Sequence, residues 1–239
     1  MSKAKKMTAE ERRAKYVALM RSAIAKWDAV ATDAIKVAIS NGNRKIGNVM
    51  NVSTAPLWTC GNCSECFRIC YDVKANFQYK NVRDARARNT SLLKRDRDSF
   101  FNQIEDAISK RKTNKYFRWH VAGDIVDMDY FSRMAEIAKR HPDFVFWTYT
   151  KMYTIVNLYV LEHGGDRTCI PANLTIMFSE WRGMPMLNPY SFPEFRVVFK
   201  DDAVKPDPKQ NHFCAGNCDI CKKLNRGCIV GETTYCNEH

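Results

Sequence analysis

Ten cysteines are the residues of this 239-residue chain whose type and spacing most directly suggest chemistry. Cys60, Cys63, Cys66 and Cys70 form a CxxCxxCxxxC run in a polar segment. Thiolates bind a tetrahedral zinc ion or an iron–sulfur cluster, and this spacing is that of bacterial ferredoxin-type sites, where the fourth Cys serves a second cluster and precedes Pro. Here Tyr71 follows Cys70. We predict a metal centre held by this run, with a [4Fe-4S] cluster and zinc both open.

A second cysteine group lies near the end of the sequence. It comprises Cys214, Cys218, Cys221 and Cys228, with Cys236 and His239 just beyond. The segment has too few hydrophobic residues to fold without a metal, so these four cysteines are also predicted ligands. A structural zinc site and a second iron–sulfur cluster are both compatible with the spacing. Cys169 stands alone and is interpreted as a packed core residue.

Helices and strands that alternate along the chain must position these cysteines. Helical periodicity covers residues 8–40, 79–112, 130–140 and 153–162, with a break expected near Asn89–Ser91. Strand patterns cover residues 45–53, 116–121, 144–149, 174–178 and 195–199. This alternation predicts an α/β fold with a mostly parallel sheet. Five strands cannot close an eight-stranded barrel, so we expect an open parallel sheet or a partial (β/α) barrel.

The predicted elements and the two cysteine groups together divide the chain into three parts. Residues 1–43 are predicted to form an N-terminal helical extension, beginning with a capping box from Thr8 to Glu11. Residues 44–205 form the α/β core with the first cysteine group. Residues 206–239 form a Cys-rich metal-binding tail, which follows the polar stretch 201–210.

Polar residues cluster where the predicted parallel strands end, which is where ligands bind in such folds. We predict Asp124, Lys151 and Glu180 as catalytic residues and His120, Gly123 and Asp124 as cofactor-binding residues. Glycine at 123 would let a ligand approach the backbone, and the Asp124 carboxylate could accept hydrogen bonds from an amine or a ribose hydroxyl. Taken one at a time, each residue also fits a loop cap, and His120 fits a core histidine with satisfied hydrogen bonds.

The net charge of +12 points to an anionic partner such as DNA or RNA. Seven Lys and Arg lie within residues 1–21, and another seven within residues 80–97. We predict a nucleic-acid-binding face formed by Arg83, Arg86, Lys94 and Arg97. A solvated helix face is the alternative, because the two look alike in sequence.

The amino-acid composition argues against disordered, low-complexity and membrane-spanning proteins. With 45% hydrophobic and 27% charged residues the chain is predicted to be globular and not low in complexity. The longest apolar stretch, residues 153–161, is far shorter than the roughly 20 residues that cross a bilayer. The Lys-rich N-terminus precedes no apolar signal segment. We therefore expect a cytoplasmic protein without a membrane partner, and the sequence does not predict its oligomeric state.

Several segments together resemble the phage family called gene product 88. They are the cysteine run with Tyr71, Trp119–Asp124, Phe146–Lys151, Phe195–Phe199, and the Cys-rich tail that ends in His. The resemblance spans residues 45–239 and leaves the N-terminal helices outside. It implies a phage or mobile-element context and, with it, the host cell cytoplasm.

The layout also resembles a radical S-adenosylmethionine enzyme. The resemblance implies a partial α/β barrel, a [4Fe-4S] cluster on the loop after the first strand, and S-adenosylmethionine as cosubstrate. Gly123 and Asp124 would occupy the Gly-rich acidic motif that holds the methionine amine. These enzymes use CxxxCxxC, whereas Cys63, Cys66 and Cys70 run CxxCxxxC. The forward spacing occurs at 214, 218 and 221, where the resemblance implies an auxiliary cluster.

Three functions follow from these features. The first is a radical S-adenosylmethionine-like iron–sulfur enzyme that acts on a nucleic acid or nucleotide. The second is a non-catalytic, zinc-stabilised nucleic-acid-binding protein, which has no need of Asp124, Lys151 or Glu180. The third, an electron-transfer protein, fits the first cysteine run but leaves the polar strand ends unexplained.

Overall fold

Runs of aromatic and β-branched residues form the strands at the centre of the fold. A computed structural model describes residues 7–61, 63 and 65–238. Its strands are β1 (Ile39–Ser40), β2 (Met50–Val52), β3 (Tyr116–Trp119), β4 (Val145–Thr150), β5 (Leu174–Glu180), β6 (Glu194–Val198) and β7 (Thr234–Asn237). Its α-helices are α1 (Ala9–Asp28), α2 (Tyr71–Gln78), α3 (Lys80–Arg95), α4 (Arg97–Ser109), α5 (Met128–Arg140), α6 (Tyr153–Glu162) and α7 (Cys218–Leu224).

The seven strands form one sheet in which neighbours follow the order of the chain. Strands β2 to β7 are parallel, and β1 pairs with β2 in antiparallel orientation. The prediction of an α/β fold with an open, mostly parallel sheet is confirmed, and the described strands do not close into a barrel. The helical pattern predicted for residues 8–40 is wrong at its end, because α1 ends at Asp28 and residues 39–40 form β1, which pairs with β2. Strand β1 is too short to carry a pattern of its own, and β7, also not predicted, lies within the polar tail.

The crossovers between the parallel strands all advance in one direction across the sheet, and helices α3 to α6 pack on one of its faces. Phe117, Phe146 and Ile176 point to this face and pack in the main core with α3 to α6. The intervening residues of the same strands point to the opposite face. Register aligns Arg118 with Trp147 across β3 and β4, and Val197 with Cys236 across β6 and β7.

The opposite face of the sheet is covered by the C-terminal segment instead of by crossover helices. Cys228 and Ile229 pack there against Val49, Trp147 and Met177. The segment thus buries apolar surface that the sheet would otherwise expose. The predicted metal-binding tail is therefore part of the packing of the fold, whereas its binding of metal stays a prediction.

The helical region 79–112 breaks at a different place from the one predicted. Helix α3 runs through Asn89, and the break falls at Asp96, whose side chain accepts a hydrogen bond from the Ser99 amide and caps α4. The Asn89 side chain instead bonds the backbone of Ala38 and Ser53. Polar residues inside a helix can thus serve neighbouring segments without ending the helix.

Helix α1 begins at the predicted capping box, with Thr8 and Glu11 each bonding the other's backbone amide. It packs against α3, and Tyr16, Met20 and Ile24 share a core with Cys63 and Phe67 of the first cysteine loop. None of the described helices is both long enough and apolar enough to span a membrane.

Candidate functional site

The first cysteine loop, residues 60–70, is held by helix α1. The Arg13 guanidinium donates a hydrogen bond of 3.2 Å to the carbonyl of Cys63, and Arg12 donates one to the carbonyl of Arg68. Both guanidinium groups also lie over the Phe67 ring. Basic residues that the sequence suggested for an external anion therefore also fix this loop.

The thiols of the loop lie next to one another. Cys63 is buried, and its thiol is in hydrogen-bonding contact with the thiols of Cys60 and Cys66. The contact with Cys60, together with burial, raises the pKa of the Cys63 thiol to about 12, and burial raises the pKa of Cys70. The sequence prediction that these thiols share one neighbourhood is therefore matched by their placement.

A metal site requires several ligands in a specific arrangement, which the closeness of these thiols alone does not establish. Within residues 7–61, 63 and 65–238, no three His, Cys, Asp and Glu side chains stand in the arrangement of such a site. The metal-ligand assignments for both cysteine groups stay predictions. His239 of the tail, like Asn62 and Ser64 of the loop, lies outside the described residues.

Tyr16 fits a metal centre in the first loop. Its side chain is fully buried, and its hydroxyl group has no hydrogen-bond partner among the described residues. Burial raises its pKa, and so does the proximity of Asp72, Cys70, Cys60 and Cys63. A buried hydroxyl without a partner costs about 1–3 kcal/mol, and a thiolate or sulfide sulfur beside it would accept a hydrogen bond from it.

The loop after β3 is fastened to the neighbouring strands by Asp124, which is 7% exposed. Its carboxylate accepts hydrogen bonds from the Thr150 hydroxyl (2.6 Å) and from the backbone amides of Ile125 (2.8 Å) and Lys151 (2.9 Å). Burial raises the pKa of Asp124, and the hydrogen bonds oppose this effect. These contacts make Asp124 the anchor of the loop.

Gly123 packs closely against the loop after β2, while its predicted part in cofactor binding stays a prediction. Its backbone is left-handed, with φ of 88°, and a Cβ atom there would lie 2.0 Å from the Thr54 hydroxyl oxygen. The loop after β2 therefore occupies the space beside Gly123. The glycine allows two strand-end loops to pack together.

The first cysteine loop and the ends of β3 and β4 meet at one edge of the sheet. The Cys66 thiol lies within electrostatic range of the Lys151 ammonium group and the Asp124 carboxylate. A Cβ atom on Gly61 would lie 2.6 Å from the Met152 methyl carbon, so the loop touches the segment after β4. The Lys151 nitrogen also lies 5.4 Å from the centre of the Trp181 ring.

Glu180 lies at the end of β5, where its carboxylate forms an ion pair of 2.8 Å with Arg196. Tyr153 lies within electrostatic range of both Glu180 and Asp124. Burial raises the pKa of its hydroxyl group, and the proximity of Asp124, Glu180 and Cys66 raises it further. The structure thus brings Asp124, Lys151 and Glu180 to one edge, around a tyrosine that the sequence did not single out.

His120 is fully engaged inside the protein. Its Nδ1 lies 3.1 Å from the Thr148 hydroxyl, and its Nε2 lies 2.9 Å from the Tyr130 hydroxyl. Burial lowers its pKa to about 3, and Arg118 adds to this effect. The geometry is that of a core histidine with satisfied hydrogen bonds, and its predicted cofactor binding stays a prediction.

The second cysteine group surrounds Cys214. The thiols of Cys218, Cys221, Cys228 and Cys236 all lie within electrostatic range of it. Burial raises the pKa of each of these four thiols. Cys236, which the sequence left unassigned, thus belongs to the group. Cys169 lies elsewhere, packed against the main core, as predicted.

The four predicted nucleic-acid contacts do not form one free cationic face. Arg86 pairs with the buried Asp72 at 3.2 Å, and Arg97, which belongs to α4, pairs with Asp127 at 2.8 Å and with Asp129 at 2.8 Å. Arg83 donates a hydrogen bond of 2.8 Å to the Asn76 carbonyl. Lys94 is exposed at the end of α3. Nucleic-acid binding by these residues stays a prediction.

The residues that sequence reasoning missed share one property. Tyr16, Arg118 and Tyr153 stand at ordinary helix and strand positions and carry no spacing signal. Strand alternation could have placed Arg118 opposite the core-facing Phe117 and Trp119. It could not have shown that cysteines from the end of the chain cover that face.

Comparison with known proteins gives one family. The family model described as gene product 88 matches residues 5–227. The match includes helix α1, which the sequence resemblance left outside, and ends before Cys228. Comparisons with curated proteins and with solved structures gave no match. The chain belongs to the gene product 88 family.

Proposed function

We propose that this protein is an iron–sulfur enzyme of the radical S-adenosylmethionine type, with its reactive centre on the first cysteine loop. One observation carries the proposal: the Cys66 thiol lies at the carboxyl edge of the parallel sheet, within electrostatic range of Lys151 and Asp124. Ligands bind at this edge in parallel α/β folds. A structural zinc loop has no need of such neighbours.

The chain's own residues have separate parts in this proposal. Cys60, Cys63 and Cys66, whose thiols are in contact, and Cys70 are the candidate ligands of a [4Fe-4S] cluster, three of which would hold it and leave one iron open for the cosubstrate. The Tyr16 hydroxyl would donate to a sulfur of that centre. Such a cluster, once reduced by an external electron donor, would supply the one electron that splits S-adenosylmethionine into methionine and a 5′-deoxyadenosyl radical.

The strand ends would bind and orient the cosubstrate and substrate. Lys151 carries the positive charge that would pair with a carboxylate or phosphate, and Asp124 positions it through the hydrogen bond to its backbone amide. Glu180, paired with Arg196, closes the site on the side of β5 and β6. Nucleic acid or a nucleotide is the proposed substrate class, because the chain carries an excess of 12 positive charges.

Anaerobic purification followed by iron, sulfide and zinc analysis tests this function. We expect about four iron and four sulfide per centre, and formation of 5′-deoxyadenosine from S-adenosylmethionine after reduction. Cys63→Ala and Cys66→Ala should lose this centre, whereas Cys169→Ala should keep it. A colourless protein that holds zinc alone and cleaves no S-adenosylmethionine would overturn the proposal.

A zinc-stabilised nucleic-acid-binding protein is the second candidate function. The packing of α1 against α3 favours it, because it brings the two basic segments of the sequence together. Arg13, Lys15 and Arg21 of α1 are exposed, as are Lys94 and Arg95 of α3. Binding to RNA or DNA that weakens steeply with salt, in a protein without iron, would support this function.

A further inference from the structure

The face of the sheet that the C-terminal segment covers carries a buried cation, Arg118, which has no part in the proposed reactive centre. Arg118 of β3 stacks over the Tyr149 ring, with 4.5 Å between the guanidinium carbon and the ring centre. Its Nε atom is buried and has no hydrogen-bond partner within the described residues. Within the described residues no carboxylate forms an ion pair with it, and its ionisable neighbours include Tyr149, Tyr71, His120, Cys218 and Cys228.

A buried guanidinium group stays charged under all ordinary conditions, so it needs an anion or a set of acceptors nearby. The groups at this place that can become anions are cysteine thiols, which lose their protons when they bind a metal. Cys228 is 7% exposed, and its sulfur lies 2.7 Å from the Tyr149 hydroxyl oxygen, on the ring that Arg118 covers. Thiolates bound to a metal would compensate the charge of Arg118, and Arg118 would stabilise them.

Backbone pairing brings cysteines from two separate segments to this face. The Cys214 amide donates a hydrogen bond of 2.7 Å to the Tyr235 carbonyl, and Phe213 forms a parallel bridge with Tyr235. Cys214 is thereby placed beside Cys236 of β7. Cys236 is 9% exposed and lies within electrostatic range of both Cys214 and Cys228.

A nitrogen donor without a partner lies at the same group. The His212 Nε2 atom is buried and forms no hydrogen bond with any described residue. A Cβ atom on Gly227 would lie 2.7 Å from this nitrogen and 3.2 Å from the Cys221 sulfur, so both atoms border the same glycine. Sulfur and imidazole nitrogen are the donors that zinc and iron–sulfur centres use.

The geometry points to a thiolate-rich metal site on this face, in which Cys236 joins Cys214, Cys218 and Cys228 as a ligand and Arg118 is the internal counter-cation. The ligand class is a soft metal centre, either a zinc ion or an iron–sulfur cluster. The inference goes beyond the proposed function, because it concerns the second cysteine group alone and requires no S-adenosylmethionine.

The test uses the full chain with the four cysteines of the first loop replaced by Ser, so that the second site is measured alone. Zinc, iron and sulfide per chain are determined after anaerobic purification, and release to a competing chelator gives relative affinity. Cys236→Ser should release metal at least about tenfold more readily, as loss of a ligand or its partner does. Cys169→Ser, which removes a cysteine outside the group, should leave retention unchanged.

Arg118→Met tests the counter-charge. It keeps the length of the side chain and removes its charge, so retention should fall by about tenfold or more, whereas Arg118→Lys should keep most of it. Arg133→Met is the matched control, because Arg133 also lies over an aromatic ring, that of Phe101, far from the cysteines. Unchanged retention in both Cys236→Ser and Arg118→Met would overturn the inference.

Alkylation of the wild-type chain gives a readout that does not depend on variants folding. Cys214, Cys228 and Cys236 should be protected in the purified protein and become reactive when chelator is added, while Cys169 reacts equally in both conditions. Protection that chelator does not change would contradict a metal site. This test is independent of the proposed function, because that function is tested by the metal content of the first cysteine loop and by cleavage of S-adenosylmethionine.

Discussion

The Asp124 carboxylate accepts a hydrogen bond of 2.6 Å from the Thr150 hydroxyl, and this contact joins the loop after β3 to the end of β4. The next residue, Lys151, donates its backbone amide to the same carboxylate. The position of the lysine beside the first cysteine loop therefore depends on a side chain from a different strand. Residues predicted as separate catalytic groups form one hydrogen-bonded unit.

Asp124→Ala should destabilise the protein by about 2–3 kcal/mol, because it leaves two buried amides and a hydroxyl without their acceptor. Urea denaturation of the purified protein measures this change. Asp33→Ala, at an exposed position, should stay within about 0.5 kcal/mol of the wild type. A loss below about 0.5 kcal/mol for Asp124→Ala would show that water replaces the carboxylate without cost.

Gly123→Ala separates backbone strain from steric exclusion. The new methyl group would meet the Thr54 hydroxyl at 2.0 Å, whereas nothing lies within 4 Å of the equivalent position at Gly165. Both glycines are left-handed, with φ of 88° and 74°, so Gly165→Ala carries the strain alone. We expect Gly123→Ala to be less stable than Gly165→Ala by about 2 kcal/mol in thermal or urea unfolding. Equal losses would mean that the Thr54 loop moves aside.

His120 should make stability depend on pH. Its pKa, lowered by burial and by Arg118 to about 3 from an ordinary value of 6.5, means that the unfolded chain binds the proton first. The contribution of neutral His120 is complete above pH 6.5 and is lost as the pH falls toward 3. Between pH 6.5 and about pH 5 the free energy of unfolding should fall by about 2 kcal/mol from this group.

The variant His120→Asn isolates that contribution, because asparagine accepts the left-handed backbone of this position (φ 54°) and does not titrate. Urea unfolding at the two pH values should give a smaller difference for the variant by about the same 2 kcal/mol. Identical pH dependence in the two proteins would show that His120 takes up its proton without unfolding.

Tyr16→Phe should act in opposite directions in metal-free and metal-loaded protein. Without metal, removing a buried hydroxyl that has no partner should raise stability or leave it unchanged. With iron bound, removing a donor to sulfur should speed metal release by about tenfold. Chelator-release rates and unfolding curves measure the two effects, and Phe131→Leu, in the main core, controls for general loosening. Metal release from the variant at the wild-type rate would show that Tyr16 does not stabilise the metal centre.

Arg97 and Lys94 should respond differently in a nucleic-acid-binding assay. Arg97→Gln breaks the ion pairs with Asp127 and Asp129 and should cost about 1 kcal/mol of stability, since these pairs are partly exposed. Lys94→Gln should leave stability unchanged and, if α3 contacts phosphate, reduce the salt dependence of binding by about one unit. Fluorescence anisotropy with single-stranded RNA at several salt concentrations gives this slope. Equal binding by both variants and the wild type would show that nucleic acid does not contact Lys94 or Arg97.

The break between α3 and α4 shows where local reasoning reached its limit. Asn89, Thr90 and Ser91 weaken a helix on propensity, yet all three are buried and their side chains bond segments distant in sequence, so tertiary contacts preserve the helix. Asp96 ends it, because its side chain caps the following helix. Helix propensity is a property of each residue alone. It cannot predict these contacts, because they form only when distant segments of the chain pack together.

The spacing of the cysteines, the alternation of strands and helices, and the polar residues at the strand ends could all be predicted from the sequence. These features are local, and periodicity or spacing carries them. Three contacts could not be predicted: α1 holds the first cysteine loop, Cys236 joins the second group, and Arg118 faces thiols instead of carboxylates. Each of these contacts joins residues far apart in sequence. They arise because folding buries the apolar faces of helices and sheet, and no local pattern specifies which distant segment covers each face.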